Sequence, residues 1–457
     1  MNKIIKGKYL IDGNGGKPQE NSAVIIENGK IKDIVAANNL PKEGYEILDY
    51  PNTTIMPGLI EVHTHMHVSP EPGNYEAALS DSDTVLAIRA TDAVRKTLMS
   101  GVTTMRDIGS KNHIAFPIRD AVNAGIIPGP RILLAGQVVT TTAGHCNYFG
   151  TEADTLDEAV TAARANMKLG AEWIKIMSTG GGFTPRSNMR AAQYPAETLK
   201  AVVDDAIRLG GRVCSHAHGT VGVENCVKAG MHNIIHCSWL AEDPDKMFDY
   251  KEDVADQIAE KGIYVDATVA TGYMRTFRDP DFNEEQARMF RDPGERADIL
   301  QDMRKRGVKF VSGIDSGMLY VRFGDIAYTP ERMVDVIGMG NMEAIVACTK
   351  TSAECLDVDN ETVYFAKNGT YEVNSDPTSG ASKTGGTDLP NSGSTYFFAF
   401  AAYKGGAASG TGQVNFGGGS VDAISSGNTD ADGHGNFEYA VPSGYFSLCT
   451  KNLAEYG

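Results

Sequence analysis

The chain has 457 residues and a formal net charge of −16, from 42 basic and 58 acidic side chains. This length exceeds one ordinary domain, and a barrel of about 250 residues would leave room for one or two smaller domains. The acidic balance argues against nucleic acid and against an anionic membrane as partners, because both require a basic face on the protein.

Short apolar segments separated by glycine-containing turns dominate residues 1–56. This pattern predicts a small N-terminal β domain, one half of a β-sandwich. We expect its strands to have unpaired edges unless another segment covers them. The predicted strands are residues 4–5, 8–11, 22–26 and 30–35.

From residue 57 to residue 356 the pattern changes to strands that alternate with amphipathic helices. Such alternation predicts α/β architecture with parallel strands, and eight of them close a TIM barrel. A doubly wound open sheet is the alternative, but no G-x-G-x-x-G follows a predicted strand. The strands are predicted at 59–62, 102–107, 131–136, 173–177, 212–216, 233–236, 263–267 and 309–315, and the helices at 84–99, 114–124, 155–169, 195–209, 220–229, 251–261, 283–306, 330–338 and 342–355.

Potential metal ligands occur where the predicted strands end. His63 and His65 are separated by one residue, so they share one face of the first strand. Each such group alone has an ordinary explanation, such as a core histidine or a helix N-cap. Because barrel enzymes carry their active residues at these strand ends, the joint pattern predicts a metal site. The other groups are Lys175, His216, His236 and Asp315.

The motifs around these residues resemble the amidohydrolase superfamily. The quoted segments are Pro57-Gly-Leu-Ile-Glu-Val-His63-Thr-His65, Gly-Ala-Glu-Trp-Ile-Lys175-Ile-Met, His216-Ala-His218-Gly, Ile-Ile-His236 and Gly-Ile-Asp315. Within that superfamily the chain is similar to the imidazolonepropionase-related branch, which includes Xaa-Pro and Xaa-Arg/Lys dipeptidases. The resemblance covers roughly residues 1–356.

The resemblance implies a binuclear centre of two divalent metal ions, usually zinc. His63 and His65 would bind the first ion, and His216 and His236 the second. Lys175, carboxylated on its amine by CO₂, would bridge the two ions as an anion with two oxygens. A metal-bridging hydroxide would attack the amide carbonyl, and Asp315 would bind the first ion and transfer protons.

The resemblance also implies substrate-binding residues, which it specifies in less detail than the metal ligands. His145, in the loop Thr140-Thr-Thr-Ala-Gly-His145, resembles a family histidine that faces the substrate carbonyl. His218 occupies a position where some dipeptidases of this branch have tyrosine, and we expect it in the substrate pocket. Arg186, or Arg190, is a candidate for binding a carboxylate, with a solvated arginine as the alternative. We expect His67 to be a pocket or surface residue and not a ligand.

The predicted function is hydrolysis of the amide bonds of small N-acyl amino acids or dipeptides. Hydrolysis of a cyclic amide, as by an imidazolonepropionase, is the enzymatic alternative, and a binding module on an inactive barrel is the non-enzymatic one. The seven cysteines have no paired spacing, which predicts reduced thiols. With no signal peptide or membrane span predicted, we expect a cytoplasmic protein without membrane or nucleic-acid partners, and a homo-oligomer is compatible with the sequence.

Residues 357–457 differ in composition from the barrel and are rich in Gly, Ser, Thr and aromatic residues. Segments such as Val414-Asn-Phe-Gly417 resemble the second half of a phage-type SPRY-like β-sandwich, and a generic Gly-rich β segment is the alternative. The family's usual return to the N-terminal β domain is missing from the sequence. We therefore hypothesise a chimeric fusion near Leu356, with a separate all-β C-terminal segment that makes few contacts with the barrel.

Overall fold

A computed structural model describes residues 2–41, 43–279 and 294–358 in full. Three further strands, Thr362–Lys367, Thr370–Tyr371 and Ser394–Phe400, are described by their backbone. The chain divides into two units after Ala399, and every residue described in full belongs to the first. This first unit contains an N-terminal β domain and a TIM-barrel-like α/β domain.

The N-terminal β domain is a mixed sheet in which β1 pairs antiparallel with β3 and parallel with β5. Its buried aliphatic side chains, which include Ile5, Val24 and Ile55, form a small apolar cluster. The sequence patterns did not predict β5, because Pro51 and alternating polar residues interrupt its apolar character. The strands are β1 (Lys3–Leu10), β2 (Gln19–Glu20), β3 (Ser22–Glu27), β4 (Lys30–Ala36) and β5 (Glu46–Pro57).

The free edge expected beside these N-terminal strands is covered in the structure. Strand Ser394–Phe400 lies next to β5 in the sheet order, and strand Thr362–Lys367 pairs parallel with it. Our expectation of an unpaired edge is therefore wrong on the β5 side. The SPRY-like resemblance and the sparse contacts expected for residues 357–457 concern positions that mostly lie outside the described residues.

The barrel strands run parallel, in two sheets that hydrogen bonds join into a closed arrangement. Glu172 N donates to Leu134 O at 3.1 Å on one side, and Val62 N donates to Ser312 O at 2.9 Å on the other. The strands are β6 (Leu59–Thr64), β7 (Val102–Asp107), β8 (Arg131–Leu134), β11 (Trp173–Met177), β12 (Arg212–Gly219), β13 (Asn233–Leu240), β14 (Tyr264–Asp266) and β15 (Lys309–Phe310), with β9 (Val138–Thr140) and β10 (Gly150–Glu152) after β8.

The helices cover the outside of the barrel through apolar faces with helical spacing. In helix Ala196–Arg208, for example, Leu199, Val203 and Ala206 are buried. Thr155 begins helix Leu156–Lys168 with a capping box closed by Glu158. The remaining α-helices are Asn74–Ser80, Asp83–Met99, Ala115–Asn123, Thr220–Ala229, Glu252–Glu260, Thr271–Arg278, Gly294–Lys305, Thr329–Ile337, Asn341–Val346 and Ser352–Leu356.

Two of the predicted helices differ from the structure. The predicted helix at 342–355 is interrupted by a π-helical turn at Ala347–Thr351. The helix predicted at 283–306 is described from Gly294 onward, and its earlier positions lie outside the described residues. Short 3₁₀ turns occur at Lys111–His113, Asn147–Phe149 and Asp325–Tyr328.

Two expectations concern the chain as a whole. Each of the six cysteines in the described ranges is buried and free, as we expected. Cys449 lies outside those ranges. Within the described part of the chain, no helix combines the length and the apolar character that crossing a membrane requires.

Candidate metal centre

His63 and His65 direct their imidazoles toward the same carboxylate. His63 Nε2 lies 3.1 Å from Asp315 Oδ1, and His65 Nε2 lies 3.4 Å from the same oxygen. This oxygen is buried and has no hydrogen bond of good geometry to a described residue. Two nitrogens and one carboxylate oxygen therefore surround one point at the carboxyl end of β6.

Hydrogen bonds on the far side of each ring fix which nitrogen faces this point. His65 Nδ1 lies 3.1 Å from the carbonyl of Gly109, which can only accept, so Nδ1 carries the proton. His63 Nδ1 lies 2.9 Å from Asp266 Oδ2, which holds the same tautomer. Both Nε2 atoms therefore present lone pairs toward Asp315, an arrangement common among metal-binding histidines.

A second group of histidines lies beside the first. The ring centroids of His216 and His236 are 4.6 Å apart, and His218 stacks on His236 at 4.3 Å. His216 Nε2 donates to the carbonyl of Gly180 at 3.0 Å, so its Nδ1 is the nitrogen that can bind a metal. His236 Nδ1 lies 3.0 Å from Thr268 Oγ1, which leaves Nε2 on the open side.

Two sets of donor atoms in this region are close enough to hold a metal ion. One contains His216, His218 and His236, and the other contains His63, His236 and Asp315. His236 belongs to both sets. This grouping differs from the expected pairs in three respects: His218 joins His216 and His236, His236 also joins His63 and Asp315, and His65 is in neither set.

The backbone is strained at two of these donors. Asp315 has a φ of 63° and His236 a φ of 67°, values that side chains other than glycine seldom adopt. Each such residue costs about 1–3 kcal/mol, and such residues cluster at ligand-binding sites. The strain aims the two side chains into the barrel mouth.

Lys175 lies in β11 with only 1% of its surface exposed. Its strand is in register with β12, where Met177 pairs with His216. Burial lowers the pKa of Lys175, because a charged ammonium loses its hydration there. The neutral amine favoured by this shift is the form that reacts with CO₂.

The electrostatics of the site keep most of its histidines neutral. Burial lowers the pKa of His65 to about 4 and that of His218 to about 3. It also holds the pKa values of His216 and His236 well below the usual range. Neutral imidazoles are the form that binds metal.

The pKa values of His63 and Asp315 shift in opposite directions, because the two side chains are partners. Burial alone would lower the pKa of His63, but the charge of Asp315 raises it overall. Burial would raise the pKa of Asp315, yet His63, His65 and Lys175 hold it below its usual value. Asp315 is therefore a carboxylate at neutral pH, as a metal ligand or a proton acceptor must be.

Three of the predicted substrate-binding residues differ in their surroundings. The His145 ring lies 4.5 Å from that of His216, and its Nδ1 is 3.1 Å from Thr184 Oγ1, so it borders the site. Arg186 is exposed with a φ of 65°, and the described residues give it no hydrogen bond or ion pair to the site. Arg190 donates to the carbonyls of Ala241, Asp243 and Lys246, which ties one loop to another and leaves the carboxylate role unsupported.

Two acidic residues of the site were not predicted. Asp266 ends β14, is fully buried and orients His63. Glu61 accepts from the backbone N–H of His63 and of Ile314, and burial raises its pKa well above the usual value. Asp266 could have been found by the rule that identified His236, since it also stands at the carboxyl end of a predicted strand.

His67 is fully buried, so the surface position that we considered for it is wrong. Its ring lies 5.1 Å from that of Phe149, in an edge-to-face arrangement. Neither ring nitrogen has a hydrogen-bond partner among the described residues. Burial lowers its pKa well below the usual range, so it packs as a neutral ring.

The donors at the barrel mouth fit divalent cations. The buried oxygen of Asp315 lacks a protein hydrogen bond while two imidazole nitrogens face it, which leaves a cation as its natural partner. The donor set combines imidazoles with a carboxylate, the combination that zinc prefers when thiolates are absent.

Comparisons with known proteins identify the family of the chain. Residues 54–365, more than half of the chain, match the sequence profile described as Amidohydrolase family. An ochratoxinase from Aspergillus niger is 26% identical over 376 residues, which cover 76% of this chain and 75% of that protein. Its crystal structure has a TM-score of 0.66 at 25% identity and covers 78% of this chain and 84% of its own. A Xaa-Pro dipeptidase structure with methionine bound in the active site has a TM-score of 0.68 at 27% identity, over 79% of this chain and 90% of its own.

Proposed function

The chain belongs to the amidohydrolase family, and from this premise we propose that it is a binuclear metal-dependent hydrolase of small N-acyl amino acids or dipeptides. The observation that carries the proposal is the convergence of two imidazole nitrogens on the orphaned oxygen of Asp315 at the barrel mouth. The similarity to an ochratoxinase and to a Xaa-Pro dipeptidase supports amide hydrolysis in particular.

We assign the residues that would hold two divalent ions, most suitably zinc. His63, His65 and Asp315 would hold the first ion, and His216 and His236 the second, with carboxylated Lys175 between them. Burial lowers the pKa of Lys175 and so favours its neutral amine, which supports this assignment, since addition of that amine to CO₂ gives a carbamate anion and releases one proton. When bound, such ions supply Lewis acidity toward a carbonyl and lower the pKa of a water molecule.

Asp315 is the residue best placed to move protons. Its carboxylate stays ionised at neutral pH, so it can accept a proton from water and later deliver it to the leaving nitrogen. The left-handed backbone at Asp315 and the hydrogen bond from Ser316 N to His63 O at 3.1 Å hold it against the first strand. Proton transfer by a fixed group of this kind contributes about 10²–10⁴-fold to the rate.

His145 and His218 would contact the substrate. His145 borders the site beside His216, and we assign it to the substrate carbonyl. His218 is partly exposed, and its Nδ1 is 2.8 Å from Ser238 Oγ, which fixes the orientation of the ring. The free, buried thiols support a reducing compartment such as the cytoplasm.

A substrate panel tests this proposal. We would assay metal-loaded enzyme with L-Xaa-L-Xaa dipeptides and N-acetyl-L-amino acids, beside imidazolonepropionate. N-acetyl-L-methionine belongs in the panel, because the similar Xaa-Pro dipeptidase structure holds methionine in its active site. We expect turnover of linear amides. Turnover of the lactam alone would replace the dipeptidase assignment with a cyclic-amide hydrolase, and no turnover despite bound metal would favour an inactive barrel that acts as a binding module.

A further inference from the structure

Arg296 forms a hydrogen bond to the segment that orients two of the proposed metal-binding histidines. Its Nη2 donates to the carbonyl of Ala267 at 2.5 Å. Ala267 lies between Asp266, which contacts His63, and Thr268, which contacts His236. The guanidinium of Arg296 therefore lies at the carboxyl end of β14, at the barrel mouth.

Arg296 has no acidic partner among the described residues. Its Nε is buried and makes no hydrogen bond there. Two other arginines, one in the last turn of the same helix and one directly after it, are paired: Arg304 with Glu343, and Arg306 with Asp302 and Asp256. Burial of a guanidinium without a carboxylate costs free energy, so an anionic partner supplied from outside the chain would bind favourably.

Three other cations in the described part of the chain are poorly placed for such a partner. Arg190 is occupied by three backbone carbonyls, and Arg186 is exposed. Lys175 is almost fully buried at the base of the site. Arg296 thus combines partial exposure with a charge that has no ion-pair partner among the described residues, next to the proposed metal ligands.

His218 places this charge next to the substrate side of the site. The Ala267 carbonyl that accepts from Arg296 directly precedes Thr268, whose Oγ1 lies 3.0 Å from His236 Nδ1. The His218 ring stacks on His236 with an angle of 17° between the planes. A carboxylate held by the Arg296 guanidinium would therefore lie on the side of the barrel mouth where His236 and His218 flank the proposed second metal position.

We infer that Arg296 binds the free α-carboxylate of the substrate, on the amino acid that leaves when the amide is cleaved. A guanidinium offers two parallel N–H donors that match the two oxygens of a carboxylate. This inference rests on the proposed amide hydrolysis and narrows it. The preferred substrates are amides whose nitrogen belongs to an amino acid with a free carboxylate, in preference to neutral amides.

The test compares an acid with its neutral counterpart. Kinetics of wild type and Arg296→Gln are measured on N-acetyl-L-methionine and on N-acetyl-L-methioninamide. Glutamine keeps an N–H for the Ala267 carbonyl but removes the charge. We expect KM for the acid to rise about 100-fold with kcat nearly unchanged, and the amide to change by less than about threefold. Arg304→Gln, which breaks the pair between Arg304 of the same helix and Glu343, is the matched control and should leave the kinetics of both substrates unchanged.

An equal loss on both substrates would overturn the inference, because it would mean that Arg296 only supports the Asp266–Thr268 segment. A binding measurement separates this outcome from failure of the proposed function. Calorimetric titration of the metal-loaded protein with L-methionine and with L-methioninamide requires no turnover. We expect wild type to prefer the acid by at least about tenfold and Arg296→Gln to lose that preference. Wild-type protein that binds neither compound, or both equally, would also contradict carboxylate recognition.

Discussion

Nε2 of His63 lies 3.1 Å from Oδ1 of Asp315, although His63 belongs to the first barrel strand and Asp315 follows the last. Hydrogen bonds across this seam run from Ser316 N to His63 O and from His65 N to Ser316 O. The proposed ligand set of the first ion, His63, His65 and Asp315, therefore comes together only when the barrel is closed. Any change that opens the seam should reduce metal binding before it unfolds the chain.

Lys175→Ala should lose metal and activity together, because the variant removes the proposed bridge between the two ions. We expect at most about one ion per chain and a loss of activity of at least about 10³-fold. Metal analysis and turnover are measured on the same preparation. Lys200→Ala, which breaks only an exposed pair with Asp204, is the control. A Lys175→Ala protein that keeps full activity with both ions bound would rule out the bridging role.

Asp315→Asn should retain metal better than Lys175→Ala and still lose most of its turnover. The amide of asparagine remains a weak ligand through its oxygen, but it cannot accept a proton at neutral pH. We expect kcat to fall by about 10²–10⁴-fold. Comparable kcat in Asp315→Asn and wild type would show that another group carries the proton.

Gly313→Ala should weaken metal binding without touching a ligand. A Cβ at Gly313 would overlap the carboxylate of Asp266, whose Oδ2 lies 2.9 Å from His63 Nδ1. Loss of such a support costs about 10–100-fold in metal affinity. Gly16→Ala is the control, since its Cβ would meet no atom within 4 Å. Unchanged affinity in Gly313→Ala would indicate that Asp266 does not position His63.

Asp107 should make the metal-free protein less stable as the pH rises. Burial raises the pKa of Asp107 to about 7, whereas Asp in an unfolded chain has a pKa of about 3.9. Between these values the folded state binds more protons than the unfolded state, so stability falls as the pH increases toward 7. Asp107→Asn should therefore reduce the fall in Tm between pH 5 and pH 8. An identical pH dependence of Tm in wild type and variant would contradict this assignment.

A shortened chain tests the hypothesis of a fusion near Leu356. The barrel helices and the proposed metal ligands all precede this position, so a chain that ends at Val358 should bind metal and turn over substrate like the full chain. It would also lose strand Ser394–Phe400 from the β5 edge, and we expect more self-association, detected by light scattering. Loss of both metal and activity would show that residues 359–457 belong to the catalytic unit.

The proposed metal ligands could be located from sequence because their positions follow from a local rule. His63 is next to the last residue of β6, whereas β12 and β13 continue past His216 and His236 to Gly219 and Leu240. The apolar patterns of these strands are clear, and parallel strands in a barrel bring their carboxyl-terminal parts together. The same rule applied to the strand of Asp266 would have found that residue. The strand Glu46–Pro57 was missed because a proline within it contradicts its strand character, and its pairing with β1 shifts register between Gly7 and Tyr9.

The partners of the arginines could not be predicted from the sequence. Arg190 lies in a glycine-rich loop near the site, but its side chain reaches the carbonyls of a different loop. Arg296 lies in an ordinary helical pattern, and its role depends on which carboxylates the fold places near it. Charge pairing of this kind is set by tertiary packing, so no local spacing reveals it.

The most direct test of this account is the metal content of the purified protein. The protein is prepared without chelator, and its transition metals are quantified by mass spectrometry against the protein concentration from amino-acid analysis. The account predicts about two divalent ions per chain, mainly zinc. A value near zero for folded protein that also takes up no zinc, cobalt or manganese on dialysis would contradict a binuclear metal centre.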